Sequence, residues 1–210
     1  MSSNRRKPII GVTGPIASGK SLVASILQGL GCAVIDSDAQ GHQLLSEPAG
    51  VDHIRTHFGR QCIRADGTVD RHAVADVIFD DVGRKQQLEE FLYPQIAEWR
   101  KLLVHKYQAD TAIKAIVLES ALLIEIGLKR QCDHVILVHA DLSIRIPRVE
   151  KTRFWRPEEL LRREKFFWPV HLKCSIADDI VYNNSTVDTC RRQVEEIFSR
   201  IISSAACQLA

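Results

Sequence analysis

Between residues 14 and 21 the chain reads G-P-I-A-S-G-K-S: two glycines enclose four residues, and a lysine and a hydroxyl follow at once. Glycines at Gly14 and Gly19 let the backbone curl until successive N–H groups turn inward toward an anion. Lys20 then adds one fixed cation, and Ser21 adds a hydroxyl able to join the shell of a divalent ion. If a strand precedes this stretch and a helix follows it, the pattern is that of a phosphate-binding loop. Lys20 reaches the β- and γ-phosphates of ATP in such a loop, and Ser21 ligates Mg²⁺. The nucleotide-binding candidates are therefore Gly14, Pro15, Ile16, Ala17, Ser18, Gly19, Lys20, Ser21 and the adjoining Leu22. The bland alternative is a chance glycine turn before a helix.

A second constellation follows, Asp36-Ser37-Asp38 with His42 four residues beyond Asp38. Carboxylates at the carboxyl end of a parallel strand lie where open α/β sheets bind ligands. In a phosphoryl-transfer site one such aspartate accepts a hydroxyl proton, and another holds the metal through water. The spacing alone allows a second role for Asp38, capping a helix that begins near Ala39.

The elements needed to position these groups are legible. Pro8–Thr13 is a short apolar run read as a buried strand, and Ser21–Leu30 has helical apolar spacing ending at Gly31. Cys32–Ile35, Thr111–Leu118, His134–Val138 and Asp179–Tyr182 are further strand-like runs. Strands of this length separated by helical stretches imply right-handed crossovers and a parallel, doubly wound α/β sheet. Ala49–Asp110 reads as amphipathic helix with a turn at Ala65-Asp66-Gly67, and Asp141–Ser175 reads as arginine-rich helix. No Gly/Ser/Pro linker isolates either segment, so both are expected as insertions in one domain over residues 1–210.

Composition sets the outer limits. The chain has 210 residues, 45% of them hydrophobic, with a net charge of +2. That length and apolar content can bury a sizeable core, and the charge gives no sign of a nucleic-acid partner. Cys32, Cys62, Cys132, Cys174, Cys190 and Cys207 lack C-x-x-C spacing and read as reduced thiols. The histidines at 53, 57, 72, 105, 134, 139 and 171 have no metal-ligand spacing. Met1–Lys7 lacks the apolar core of an export signal, and no apolar run is long enough to span a membrane. The expectation is a soluble cytoplasmic protein without a membrane partner.

The run I-I-G-V-T-G-P-I-A-S-G-K-S with V-I-D-S-D-x-x-x-H resembles the dephospho-CoA kinase family. The resemblance continues through Phe58-Gly59, D-G-T-V-D-R at 66–71, L-L-I-E at 122–125 and A-D-D-I-V-Y-N-N at 177–184. It implies a P-loop kinase core with a helical substrate-binding insertion and an arginine-bearing lid. It also implies ATP-dependent phosphorylation of the ribose 3′-hydroxyl of dephospho-CoA. By that resemblance Asp38 matches the catalytic base, Lys20 and Arg148 are the catalytic cations, and Asn183 joins the nucleotide site. Asp38, His42, Phe58 and Arg71 form the substrate side.

The chain departs from the family pattern at Ala121, Tyr93, Thr152 and Phe167. Thr152 stands where the resemblance expects a second lid arginine, and Arg153 is one residue, about 100° of helix rotation, away. The basic run of Arg145, Arg148, Lys151, Arg153, Arg156, Arg162, Arg163 and Lys165 is expected to supply the lid; the plain alternative is a solvated face. Phe154, Trp155, Phe166, Phe167 and Trp168 are read as packing residues. Two other activities stay open at this stage: a related P-loop kinase for another small metabolite, and a nucleotide-binding regulator with a weakened lid.

Overall fold

The computed structural model describes residues 6–207, with the side chains of 206 and 207 outside the description. The first five residues of the basic N-terminal stretch and the side chain of Cys207 therefore lie outside the described residues.

The chain divides into two compact units, one of residues 1–36 and 103–210 and one of Ser37–Leu102. The first unit is built on β1 (Ile9–Thr13), β2 (Cys32–Asp36), β3 (Ala115–Glu119), β4 (His134–His139) and β5 (Asp179–Tyr182). They form one sheet in the order β2-β3-β1-β4-β5, with every neighbouring pair parallel. Side chains alternate between two covered faces, which is why the strands read as unbroken apolar runs. Ile10, Val12, Val117 and Val138 enter one core, together with Val23 and Leu27 of α1 (Lys20–Gly29). Ile9, Ile116, Leu118 and Val135 enter a second core on the opposite face. The parallel, doubly wound sheet expected from the sequence is the observed one.

β3 starts later than the apolar pattern suggested. Asp110 accepts from the backbone N–H of Ala112 at 3.0 Å, and its carbonyl accepts from that of Ile113 at 3.1 Å. The aspartate side chain thus converts the first residues of the run into a turn.

The second unit holds α2 (Ser37–Ser46), α3 (Pro48–Phe58), α4 (Arg71–Asp80) and the first part of α5 (Val82–Ala109) around its own core of Leu44, Ile54, Phe58, Val74, Leu88 and Leu92. The turn expected at 65–67 is present: Gly67 has φ 84°, and Ile63 and Val69 pair antiparallel across it. The arginine-rich segment folds as α6 (Leu142–Arg153), α7 (Pro157–Glu164) and α8 (Val170–Cys174) in the first unit, followed by α9 (Val187–Cys207).

Cys32, Cys62, Cys132, Cys174 and Cys190 are free thiols. Burial pushes the Cys32 thiol up to about 12, with Lys114 only partly opposing it, so this thiol is chemically quiet. Among the described residues no helix is long and apolar enough to cross a membrane, and no group of three or more His, Cys, Asp or Glu could hold a metal.

Candidate active site

β1 ends at Thr13, and the chain turns at once through Gly14 (φ 152°). A Cβ there would lie 2.3 Å from the Val138 carbonyl oxygen and 2.8 Å from Ser18 Oγ, so the neighbouring strand leaves room only for glycine. Gly19 has φ 99°, and a Cβ on it would lie 2.1 Å from Asn183 Nδ2. Ala17 adopts φ 59°, a left-handed conformation that costs energy for a residue with a side chain. The backbone thus curls through three left-handed or glycine-only positions before α1 begins.

What holds that curl is a set of side-chain hydrogen bonds to its carbonyls. Lys20 Nζ donates to the carbonyls of Gly14 and Pro15, both at 3.3 Å. Arg145 Nη1 donates to that of Ile16 at 3.1 Å. Arg148 Nη1 donates to those of Ala17 and Ser18 at 3.2 and 3.3 Å, and its Nη2 donates to Asn183 O at 3.0 Å. Asn183 Nδ2 donates to Ser18 O at 2.8 Å. Each carbonyl from Gly14 to Ser18 therefore has a side-chain donor, and those of Ile16, Ala17 and Ser18 are drawn toward α6 and Asn183. Because a trans peptide points its C=O and the next N–H in opposite directions, the N–H groups of Ala17 and Gly19 face the other way. With the N-terminus of α1 beside them they form an anion-binding concavity.

Ser21, the metal candidate, donates to Glu119 Oε1 at 2.9 Å, and Glu119 is 5% exposed at the end of β3. A hydroxyl beside a carboxylate is the oxygen donor set that suits Mg²⁺. Leu22 packs against the sheet core, and so supports the helix. Sequence reasoning did not single out Glu119. Its signal was available as an acid ending the apolar run A-I-V-L-E, the same signal that drew attention to Asp36.

The arginine-rich segment supplies four of these hydrogen bonds, three of them to loop carbonyls. Arg145 and Arg148 are three residues apart on α6 and so share the face turned to the loop. Arg145 is 6% exposed and also donates to Glu164 Oε1 at 2.5 Å; that same oxygen accepts the Ile16 N–H at 2.9 Å. Glu164, at the end of α7, was not picked out from the sequence, and Arg145 was picked out only as one member of the basic run. The rest of the run does other work. Arg153 and Arg163 both lie over the Trp155 ring, at 4.8 and 4.0 Å from its centroid, and Arg163 and Arg162 pair with Glu159. Thr152 donates its hydroxyl to the Arg148 carbonyl at 2.7 Å.

The aromatic residues divide. Trp155 and Phe167 pack with Ile16, Val149 and Leu160, as expected. Phe154 does not pack: it ends α6 at φ 56° and is 89% exposed, because the left-handed cap turns its side chain off the helix. Trp168 is also exposed. Behind the loop, Lys173 is 1% exposed, pairs with Glu125 at 2.6 Å and donates to the Ala121 carbonyl, which Thr13 Oγ1 also reaches.

The substrate-side candidates lie in the second unit. α2 begins at Ser37, so Asp38 sits inside its first turn and not at the capping position. His42 is four residues on, so the two share a helix face, and both are exposed. Arg71 is exposed at the first turn of α4, behind the cap Asp70, which accepts the N–H groups of His72 and Ala73 at 2.9 and 3.3 Å. Phe58 is 3% exposed within the helical core. Nearby, His53 stacks on Phe91 at 4.0 Å, and burial first, then His57, lowers its pKa.

A family model described as dephospho-CoA kinase matches residues 8–189. The dephospho-CoA kinase of Symbiobacterium thermophilum is 38% identical over 190 residues, which cover 89% of this chain and 78% of that protein. That of Geobacter sulfurreducens is 31% identical over 193 residues, 91% of this chain and 98% of the relative. Among solved structures, TT1252 from Thermus thermophilus superposes with a TM-score of 0.76 at 29% identity, over 93% of this chain and 98% of that one. A shikimate kinase from Acinetobacter baumannii, in complex with shikimate, shares the fold with a TM-score of 0.52 at 19% identity, over 95% and 96% of the two chains.

Proposed function

Because the chain belongs to the dephospho-CoA kinase family, we propose that it transfers the terminal phosphoryl group of ATP to the ribose 3′-hydroxyl of dephospho-CoA. The observation that supports the nucleotide side is the braced loop, with the carbonyls of Ile16, Ala17 and Ser18 tied to Arg145, Arg148 and Asn183. Its N–H groups and the N-terminus of α1 bind the phosphates, and Lys20 leaves its loop carbonyls to meet the β- and γ-oxygens. Ser21 and Glu119 are the residues that would hold Mg²⁺, which when bound neutralises charge building on the phosphates. Arg148 keeps the loop and Asn183 in register beside that charge.

On the acceptor side, Asp38 takes the proton of the 3′-hydroxyl as that oxygen bonds to the γ-phosphorus. The bond from the γ-phosphorus to the bridging oxygen breaks, and ADP departs with the electron pair. His42 and Arg71 orient the acceptor, and buried Phe58 supports the helices that carry them.

The test is ADP release in a coupled assay with dephospho-CoA set against shikimate, gluconate and a panel of nucleosides. Dephospho-CoA should be strongly preferred, and the product should carry a new 3′-phosphate. Preference for another acceptor would support a related kinase. ATP binding without turnover on any acceptor would support a nucleotide-binding regulator.

A further inference from the structure

One residue of the loop, Ile16, is held at both its N–H and its C=O by a pair of side chains that no step of the mechanism uses. Glu164 Oε1 accepts the N–H of Ile16 at 2.9 Å, and Arg145 Nη1 donates to the carbonyl of Ile16 at 3.1 Å. The two side chains also bond each other at 2.5 Å, and Arg145 Nε donates to Ala140 O at 3.1 Å. The Ile16 side chain is itself buried against Val149 of α6 and Leu160 of α7. Main chain and side chain of this single loop residue are thus both built into the lid helices.

The charges explain why the two residues come together. A lone carboxylate on this peptide would place a negative charge beside a site that must accept phosphates, while a lone guanidinium at 6% exposure would be a costly buried cation. Paired, they are close to neutral and still offer one acceptor and one donor aimed at the same residue. The neighbouring Ala17 is left-handed at φ 59°, a conformation that persists only where its surroundings over-determine it.

We propose that Glu164 and Arg145 are positioning residues that fix the phosphate loop in its binding form, so that the seating of α7 sets nucleotide affinity. The proposal rests on the reading of this loop as the ATP site. Three proteins are compared by calorimetry with ATP and with dephospho-CoA, and by thermal melting: wild type, Glu164→Gln, and the double variant Arg145→Met/Glu164→Leu. Replacing a buried pair by apolar side chains of similar volume is often neutral for stability, so the double variant should melt near wild type. It should nevertheless bind ATP about tenfold more weakly, having lost both hydrogen bonds to Ile16, with dephospho-CoA affinity unchanged. Glu164→Gln keeps an oxygen for the Ile16 N–H and should stay within about threefold of wild type. A double variant with wild-type ATP affinity overturns the proposal, as does one that loses both ligands in step. Absence of saturable ATP binding by wild type would instead overturn the reading of the loop itself.

Discussion

The phosphate loop and the exposed face of α2 solve opposite problems. In the loop the proposed reading groups are main-chain N–H, and the aim of those at Ala17, Ser18 and Gly19 is set by donors on the far side of their peptides: Arg145, Arg148 and Asn183. On α2 the groups proposed to read the acceptor are side chains, Asp38 and His42, carried on an ordinary helix and open to solvent. A phosphate is the same in every triphosphate, so a rigid backbone cradle serves it and wastes no reorganisation on binding. An acceptor is recognised by chemistry peculiar to it, which calls for side chains. The two regions should therefore fail differently when mutated, the loop through nucleotide handling and the helices through the acceptor.

The largest effect is expected from Lys20→Ala. It removes the cation assigned to the β/γ-phosphates, and phosphoryl transfer should fall to near background in a protein that melts like wild type. Turnover within about threefold of wild type would break the comparison at its root. Next is Asp38→Asn, which keeps size and hydrogen bonding but cannot take a proton. General bases contribute about 10²–10⁴-fold, so kcat should fall by that order while ATP affinity holds. Loss of ATP affinity with kcat preserved would move Asp38 to the nucleotide side.

How much of this could be read in the sequence follows the same division. Gly14, Gly19, Lys20 and Ser21 were legible because backbone curvature and a fixed cation demand those residue types at fixed spacing. The sheet was legible because its central strands β1, β3 and β4 are apolar on both faces. Glu164 and Arg145 were not, because their meaning lies in a contact across 148 residues between Ile16 and Glu164. Arg145 looked like one basic residue among eight, and its burial and its bond to the Ile16 carbonyl are what separate it from Arg162. The exposed Phe154 was misread because an aromatic residue near Trp155 suggests packing, whereas a left-handed cap at φ 56° turns it outward.

Smaller effects sharpen the contrast. Arg148→Ala removes a donor from the carbonyls of Ala17, Ser18 and Asn183 at once, leaving Ser18 held by Asn183 Nδ2, and should raise the KM for ATP and lower kcat together, each by about tenfold. Arg153→Ala, whose guanidinium lies over Trp155, should change either constant by less than about twofold. The reverse ranking would mean that the loop is not held by the i, i+3 face of α6. Arg71→Ala is the mirror experiment: titrated separately, dephospho-CoA should bind about tenfold more weakly and ATP as before. Equal losses for both ligands would show that Arg71 acts through folding.

The smallest effect separates the units by acid stability. Burial works against the charged form of Asp179, but hydrogen bonds from Arg200 at 2.7 Å and His134 at 2.8 Å outweigh it and hold the carboxyl below its usual range. In the helical unit, the Ala73 N–H, with the His72 N–H and Arg64, does the same for Asp70. A carboxylate held low binds fewer protons folded than unfolded. Its stabilisation is therefore present above the ordinary carboxylate range and disappears as pH falls through the lower, folded value. Asp179 sits at the start of β5, and its partner His134 at the start of β4, so Asp179→Asn should weaken the sheet unit at neutral pH. The gap in urea midpoint from wild type should be full at pH 7 and should close as pH falls below about 4. Asp70→Asn should show the same closing gap when unfolding is followed through Trp99, which packs against the helical core. ATP affinity at pH 7 should be unchanged in both, because neither carboxylate touches the loop. A gap that stays constant down to pH 3 would mean that these substitutions act through packing, and that charge plays no part in holding either unit together.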